Sequence, residues 1–102
     1  MLTTYVPWNS NIRPSVDELE AALQMEGYRT RIIKDDAGAQ YDWHTHEFPQ
    51  LLVMAEGSMT VATRALQVEM NPGDRLYLAA NEEHSARMGE GVVRYFDMEQ
   101  LP

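Results

Sequence analysis

The chain has no cysteine. Disulfides, thiolate metal sites and cysteine nucleophiles are therefore all excluded. Basic residues are scarce: eight Lys and Arg stand against sixteen Asp and Glu, a formal charge of −8. Such a field repels phosphate backbones, and the basic residues are scattered, so nucleic acid is excluded as a partner. Long apolar runs are missing too. None approaches the roughly 18 residues that a membrane span needs. Residues 1–10 lack a basic start and an apolar stretch, so no signal peptide is expected. These absences point to a cytoplasmic protein with no membrane partner.

What is present fits one compact unit. The sequence has 102 residues, 44% of them hydrophobic and 24% charged, enough to bury one modest core. Residues 1–13 read as an extended arm carrying Trp8. Ser15-Val16-Asp17-Glu18 has the form of a capping box, in which side chains at each end satisfy the first free amides of a helix. Val16, Leu19 and Leu23 give an apolar stripe, and Gly27 suits the left-handed residue that closes a helix. One helix is expected, roughly Val16 to Glu26. From Tyr28 onward short strands recur every eight to twelve residues with turn signals between, as in a sandwich or barrel. The expected strands are Tyr28–Asp35, Tyr41–His46, Gln50–Ala55, one through Met59 and Val61, Leu66–Met70, Arg75–Ala79, His84–Met88 and Val92–Met98. Residues 1–27 thus form an arm and helix, and 28–102 a barrel, together one structural domain.

The only three histidines are His44, His46 and His84. His44 and His46 sit two apart on an expected strand, so their imidazoles point the same way. Neutral imidazole suits iron, manganese, nickel or zinc. Alternation places Asp42 with these histidines, and Tyr41, Trp43 and Thr45 on the opposite face. Glu47 follows His46 directly and should point away. Apart from Asp42, no carboxylate is expected on the inner face. Trp43, Phe48, Tyr77 and Tyr95 are core or pocket residues. Met54 and Met88 share parity with Gln50 and His84. Arg87 and Arg94 are the candidates to anchor an anionic substrate.

The wider spacing resembles the cupin family, specifically the small single-domain cupins of the RmlC-like superfamily. From Gly38 to Gly57 the chain reads GAQYDWHTHEFPQLLVMAEG. Gly38, His44, His46 and Gly57 fall where the family's first motif has them, with Gln50 at the place of its usual glutamate. From Gly73 to His84 it reads GDRLYLAANEEH, similar to the second motif. There Ala79 replaces a proline, Asn81 a glycine, and Met88 stands where an asparagine is common. The resemblance covers about Tyr28 to Asp97. It implies an all-β, double-stranded β-helix of the jelly-roll type, with six to eight strands and one short N-terminal helix. It also implies one divalent transition metal ion on His44, His46 and His84, with Gln50 as fourth ligand or as a group orienting the ligands. Asn81 tolerates the left-handed turn that glycine would supply.

Gln50 brings no charge where glutamate would bring one, so the site keeps the full charge of its ion and favours an anionic ligand. Three functions follow. One is a metal-dependent, dioxygenase-like enzyme on a small molecule, although no cysteine is present for the Cys–Tyr crosslink of some thiol dioxygenases. The second is a non-catalytic module that binds or senses a small ligand. The third is a metal-dependent isomerase. Small cupins pair, so a homodimer is expected, with the arm at Tyr5 to Trp8 and the run Leu51 to Met54 as interface.

Overall fold

The computed structural model describes residues 2–100. The described residues form nine strands and one helix: β1 (Thr4–Val6), α1 (Val16–Met25), β2 (Ile32–Asp35), β3 (Gln40–His44), β4 (Gln50–Glu56), β5 (Met59–Thr63), β6 (Gln67–Met70), β7 (Arg75–Leu78), β8 (His84–Met88) and β9 (Val93–Glu99). Two antiparallel sheets face each other. One has the order β1-β7-β4-β9-β2 and the other β3-β8-β5-β6. This is the expected jelly-roll, with one strand more than the eight anticipated because the arm itself pairs.

Helix α1 starts where its sequence says it should. The Ser15 hydroxyl accepts from the Glu18 amide at 3.1 Å, and the Glu18 carboxylate accepts from the Ser15 amide at 3.0 Å. Leu19 and Leu23 are buried against Leu51, Val53, Phe96 and Met98. Alternation on β4 then sends Leu52 and Met54 the other way, into the space between the sheets with Met59, Val61 and Leu76. Both faces of β4 are covered, which is why it reads as an unbroken apolar run. Leu51, Val53 and Met54 are wholly enclosed within their own chain, so the stretch expected to form a dimer interface is core instead.

The arm is likewise used inside the chain. Thr4, Tyr5 and Val6 pair with Tyr77, Leu76 and Arg75 of β7. Asp74, only 2% exposed, gathers the arm. Its carboxylate accepts from the Tyr5 hydroxyl at 2.9 Å, the Trp8 amide at 2.7 Å, the Asn71 amide at 2.9 Å and Arg13 at 3.1 Å. Trp8 lies over Gly73, where a Cβ would come within 2.7 Å of the indole. Thr3 adds a further tie, its hydroxyl accepting from the Ala79 amide at 3.0 Å. A proline at 79 has no such donor.

The first barrel strand is shorter than expected. Tyr28 to Arg31 precede β2 rather than belonging to it. The Tyr28 amide instead bonds back to the Leu23 carbonyl at 3.0 Å, closing the helix around Gly27.

Candidate metal centre

His44 ends β3 and His84 begins β8, and the two are direct partners across the ladder. His46 lies two residues beyond, in the loop toward β4. The ring centroids are 4.3 Å apart for His44 and His84, 4.8 Å for His44 and His46, and 5.2 Å for His46 and His84. One nitrogen from each ring lies within 4.8 Å of the others. Nitrogens about 2.1 Å from a shared tetrahedral ion stand about 3.4 Å apart, so closure needs the rings to draw in by about an ångström.

Backbone carbonyls set the rings. The Nδ1 atoms of His44 and His84 meet the carbonyls of Asp42 and Glu82, each two residues earlier in the chain. A carbonyl only accepts, so each Nδ1 carries the hydrogen and each Nε2 keeps its lone pair. Such a partner on the far nitrogen is what a metal-ligating histidine usually has. Burial pushes the His84 imidazole below its ordinary pKa. The nearby His44 and His46 push the same way, against the Glu82 carbonyl. A neutral ring is the form that binds metal.

The loop before His84 holds together as its sequence suggests. Asn81 adopts φ +62°, and its amide donates to the His46 carbonyl at 2.7 Å. The two histidine-bearing segments are thereby tied across the mouth of the barrel.

Behind the histidines is a cavity of about 260 Å³. Gln50, Tyr41, Tyr95, Asp97 and Arg31 line its polar parts, and Leu52, Val61 and Met88 much of the rest. Gln50 is 5% exposed and donates through Nε2 to the Asp97 carboxylate at 3.1 Å. Its carbonyl oxygen, the end a metal takes, is left for other partners. Arg31 contacts Asp97 from the other side at 3.4 Å. Burial pushes the Asp97 carboxyl above its ordinary pKa, while Arg31 and His46 draw it down.

Several expectations change here. Asp42 does not share the histidine face; its side chain lies on the outer surface of the β3 sheet beside Trp43. Its backbone carbonyl orients His44 instead. The cause is a bulge. Between the pairs Tyr41–Ala86 and His44–His84, β3 has one residue more than β8. An extra residue reverses parity, so Tyr41 turns inward with His44. The inner carboxylate is Asp97, carried by β9 on the same face as Val93 and Tyr95. The cavity's guanidinium is that of Arg31. Arg87 lies outside, and Arg94 pairs with Glu56 at 2.9 Å. Met88 lines the cavity, whereas Met54 packs deeper in the core. Glu47 is exposed, as parity implied. Trp43 stacks under the Arg64 guanidinium at 3.7 Å rather than entering the core, and Phe48 is half-exposed. Tyr77 packs beside α1, and Tyr95 fills both roles, core and cavity wall.

Two facing antiparallel sheets, with a histidine cluster inside one end, define a small cupin. The chain belongs to the family of the AraC-like ligand binding domain, whose pattern matches residues 26–98. No curated protein matches it. Among solved structures it is similar to a cupin 2 domain-containing protein from Halorhodospira halophila, at 12% identity and TM-score 0.70, covering 100% of this chain and 80% of that one. A DUF861-family protein from Thermotoga maritima gives 14% identity and TM-score 0.65, over 96% and 99% of the two chains. The DMSP lyase DddQ from Ruegeria pomeroyi gives 15% identity and TM-score 0.63, over 69% of this chain. This chain spans only 36% of the lyase's length. These likenesses concern the fold. Among the described residues no helix is long and apolar enough to cross a membrane.

Proposed function

We propose that His44, His46 and His84 hold one divalent transition metal ion, iron, manganese, nickel or zinc, and that the protein uses it on a small molecule in the adjoining cavity. The observation that supports this is the convergence of three imidazole nitrogens within 4.8 Å, two of them fixed by carbonyls on the far side of the ring. Bound there, the ion supplies Lewis acidity to a ligand oxygen. The protein's own groups do the rest. The carbonyls of Asp42 and Glu82 hold the imidazoles in one tautomer. Arg31 and Gln50 hold Asp97 between them, and Gln50 offers its carbonyl oxygen as a fourth donor or remains an orienting group. Leu52, Val61 and Met88 keep that wall dry.

Dioxygenase-like oxidation and isomerisation both suit such a site. Asp97 favours isomerisation, because a carboxylate on the cavity wall can serve as the base that moves a proton and β9 provides one. Non-catalytic ligand binding is the second reading, favoured by membership in a ligand-binding-domain family. The protein is read as a cytoplasmic homodimer that pairs through the arm, where Val6 is exposed and β1 is an edge strand, and not through the enclosed β4. A monomer in sedimentation at micromolar concentration would remove the dimer.

Metal analysis of protein from its native source, beside a His44→Ala variant, tests the centre. About one ion per wild-type chain and little in the variant is the expected result. Equal metal in both, or none in either, would overturn it.

A further inference from the structure

We propose that Tyr41 and Tyr95 on the cavity wall, with Asp35 behind their hydroxyls, select a ligand carrying a primary ammonium group. The molecule this site takes is then a short amino-carboxylate. The inference deepens the reading above and rests on it for the carboxylate end of the ligand.

The Tyr41 hydroxyl lies 3.0 Å from both oxygens of Asp35, and the Tyr95 hydroxyl lies 2.9 Å from one of them. A phenol has one hydrogen, and a carboxylate can only accept. The two hydroxyls also meet each other, so both hydrogens are spent within the Asp35–Tyr41–Tyr95 group. Burial and the Asp35 charge push both phenols above their ordinary pKa, so they stay protonated. Toward the cavity their oxygens offer lone pairs alone. A polar group entering there must donate.

Charge narrows the choice. Asp35 is half-buried, and among the described residues none of the five ion pairs involves it. Arg31, the one arginine or lysine on the cavity wall, is engaged with Asp97. A partly desolvated carboxylate without a cation is costly, and a ligand cation relieves that cost. The tyrosine ring faces attract a cation as well.

Length follows from register. Tyr95 and Asp97 lie two apart on one face of β9, and Tyr41 and His44 oppose residues two apart on β8. Two residues of strand span roughly 7 Å. A chain of about three methylenes between carboxylate and ammonium bridges that distance along the apolar wall of Leu52 and Met88.

The test is calorimetric titration of 4-aminobutyrate, and of pentanoate with the same number of heavy atoms, into zinc-loaded protein. Roughly tenfold or more preference for 4-aminobutyrate is expected, the usual order for hydrogen bonds to a charged group. In D35N an amide hydrogen goes to one phenol, whose own hydrogen turns into the cavity. The preference should fall away while zinc uptake stays intact. Y95F, which removes one acceptor, should reduce it and serves if D35N folds poorly. Equal affinities in wild type, or an undiminished preference in both variants, overturn the inference. The ammonium end is also read alone, as shifts of tyrosine ring signals in metal-free protein with n-propylamine against 1-propanol. Should zinc fail to bind, the metal reading falls, and this comparison still decides the ammonium one: larger shifts with the amine uphold it, and equal shifts end it.

Discussion

Asp74 shows how much one side chain can hold. It is 2% exposed and accepts from four separate donors, three of them on the arm. D74A leaves those donors facing a void and exposes no compensating acceptor. A loss of about 3 kcal/mol is expected from a buried charge and its partners, measured by urea denaturation. Asn81 offers a finer contrast. At φ +62° its backbone is left-handed, which costs an ordinary residue roughly 1–2 kcal/mol. N81V should lose about that much, whereas N81G should fold nearly as well as wild type. Thermal melts of the two variants check this, since the hydrogen bond to the His46 carbonyl comes from the backbone in both. At this scale the sequence was plain wherever identity and conformation are bound together. The histidines, the capping serine and Asn81 could each be read singly. Asp74 could not, because a turn aspartate and a buried one look the same until the chain has returned to meet it.

At the scale of the element, alternation was a sound guide until a strand broke it. On β4 the period of two separates helix-facing from cavity-facing residues without error, so Gln50 falls where the motif puts it. On β3 the extra residue at Asp42–Trp43 inverts the reading for Tyr41 and Asp42. No composition marks that bulge; it is settled by what β8 presents opposite. Asp97 was legible in principle. A polar residue third in the alternation Val93, Tyr95, Asp97 signals a buried acid with a partner. Between elements, α1 is fastened to β7 by Glu26 and Arg75, whose two contacts are 2.8 and 2.6 Å. Hydrogen bonding to Arg75 holds the Glu26 carboxyl below its ordinary pKa. A lowered folded value means the pair stabilises above the ordinary glutamate range and is lost as pH falls through the lower value. Both groups are partly in water, so E26Q should cost about 1 kcal/mol or less at neutral pH. The difference from wild type should shrink as pH falls below the ordinary glutamate range, about 4.3, and vanish below the lowered value, as paired melts in acid would show.

For the whole molecule, the jelly-roll was readable because its strands are short, regularly spaced and punctuated. The arm was not, since three residues of strand carry too little pattern to announce a partner seventy positions away. The candidate metal centre joins His84 to His44 and His46 some forty positions earlier, so occupancy of it should be felt globally. Saturating zinc at about a hundred times its dissociation constant should stabilise wild type by roughly 2.7 kcal/mol. For a chain of this size that raises the melting temperature by about 10 °C or more. H84A should show no such rise, and calorimetric scans with and without zinc make the comparison.

The backbone amide of Ala79 ties two distant segments together. Its N–H, which a proline at this place would lack, clasps Thr3. Five residues later comes His84, and between them Asn81 reaches over to the other histidine segment. The leading strand and the rim of the pocket are therefore coupled like a cord and the knot it tightens. Replacing Thr3 by alanine would leave the Ala79 amide without its partner, so thermal melts of T3A should show the leading strand held less firmly.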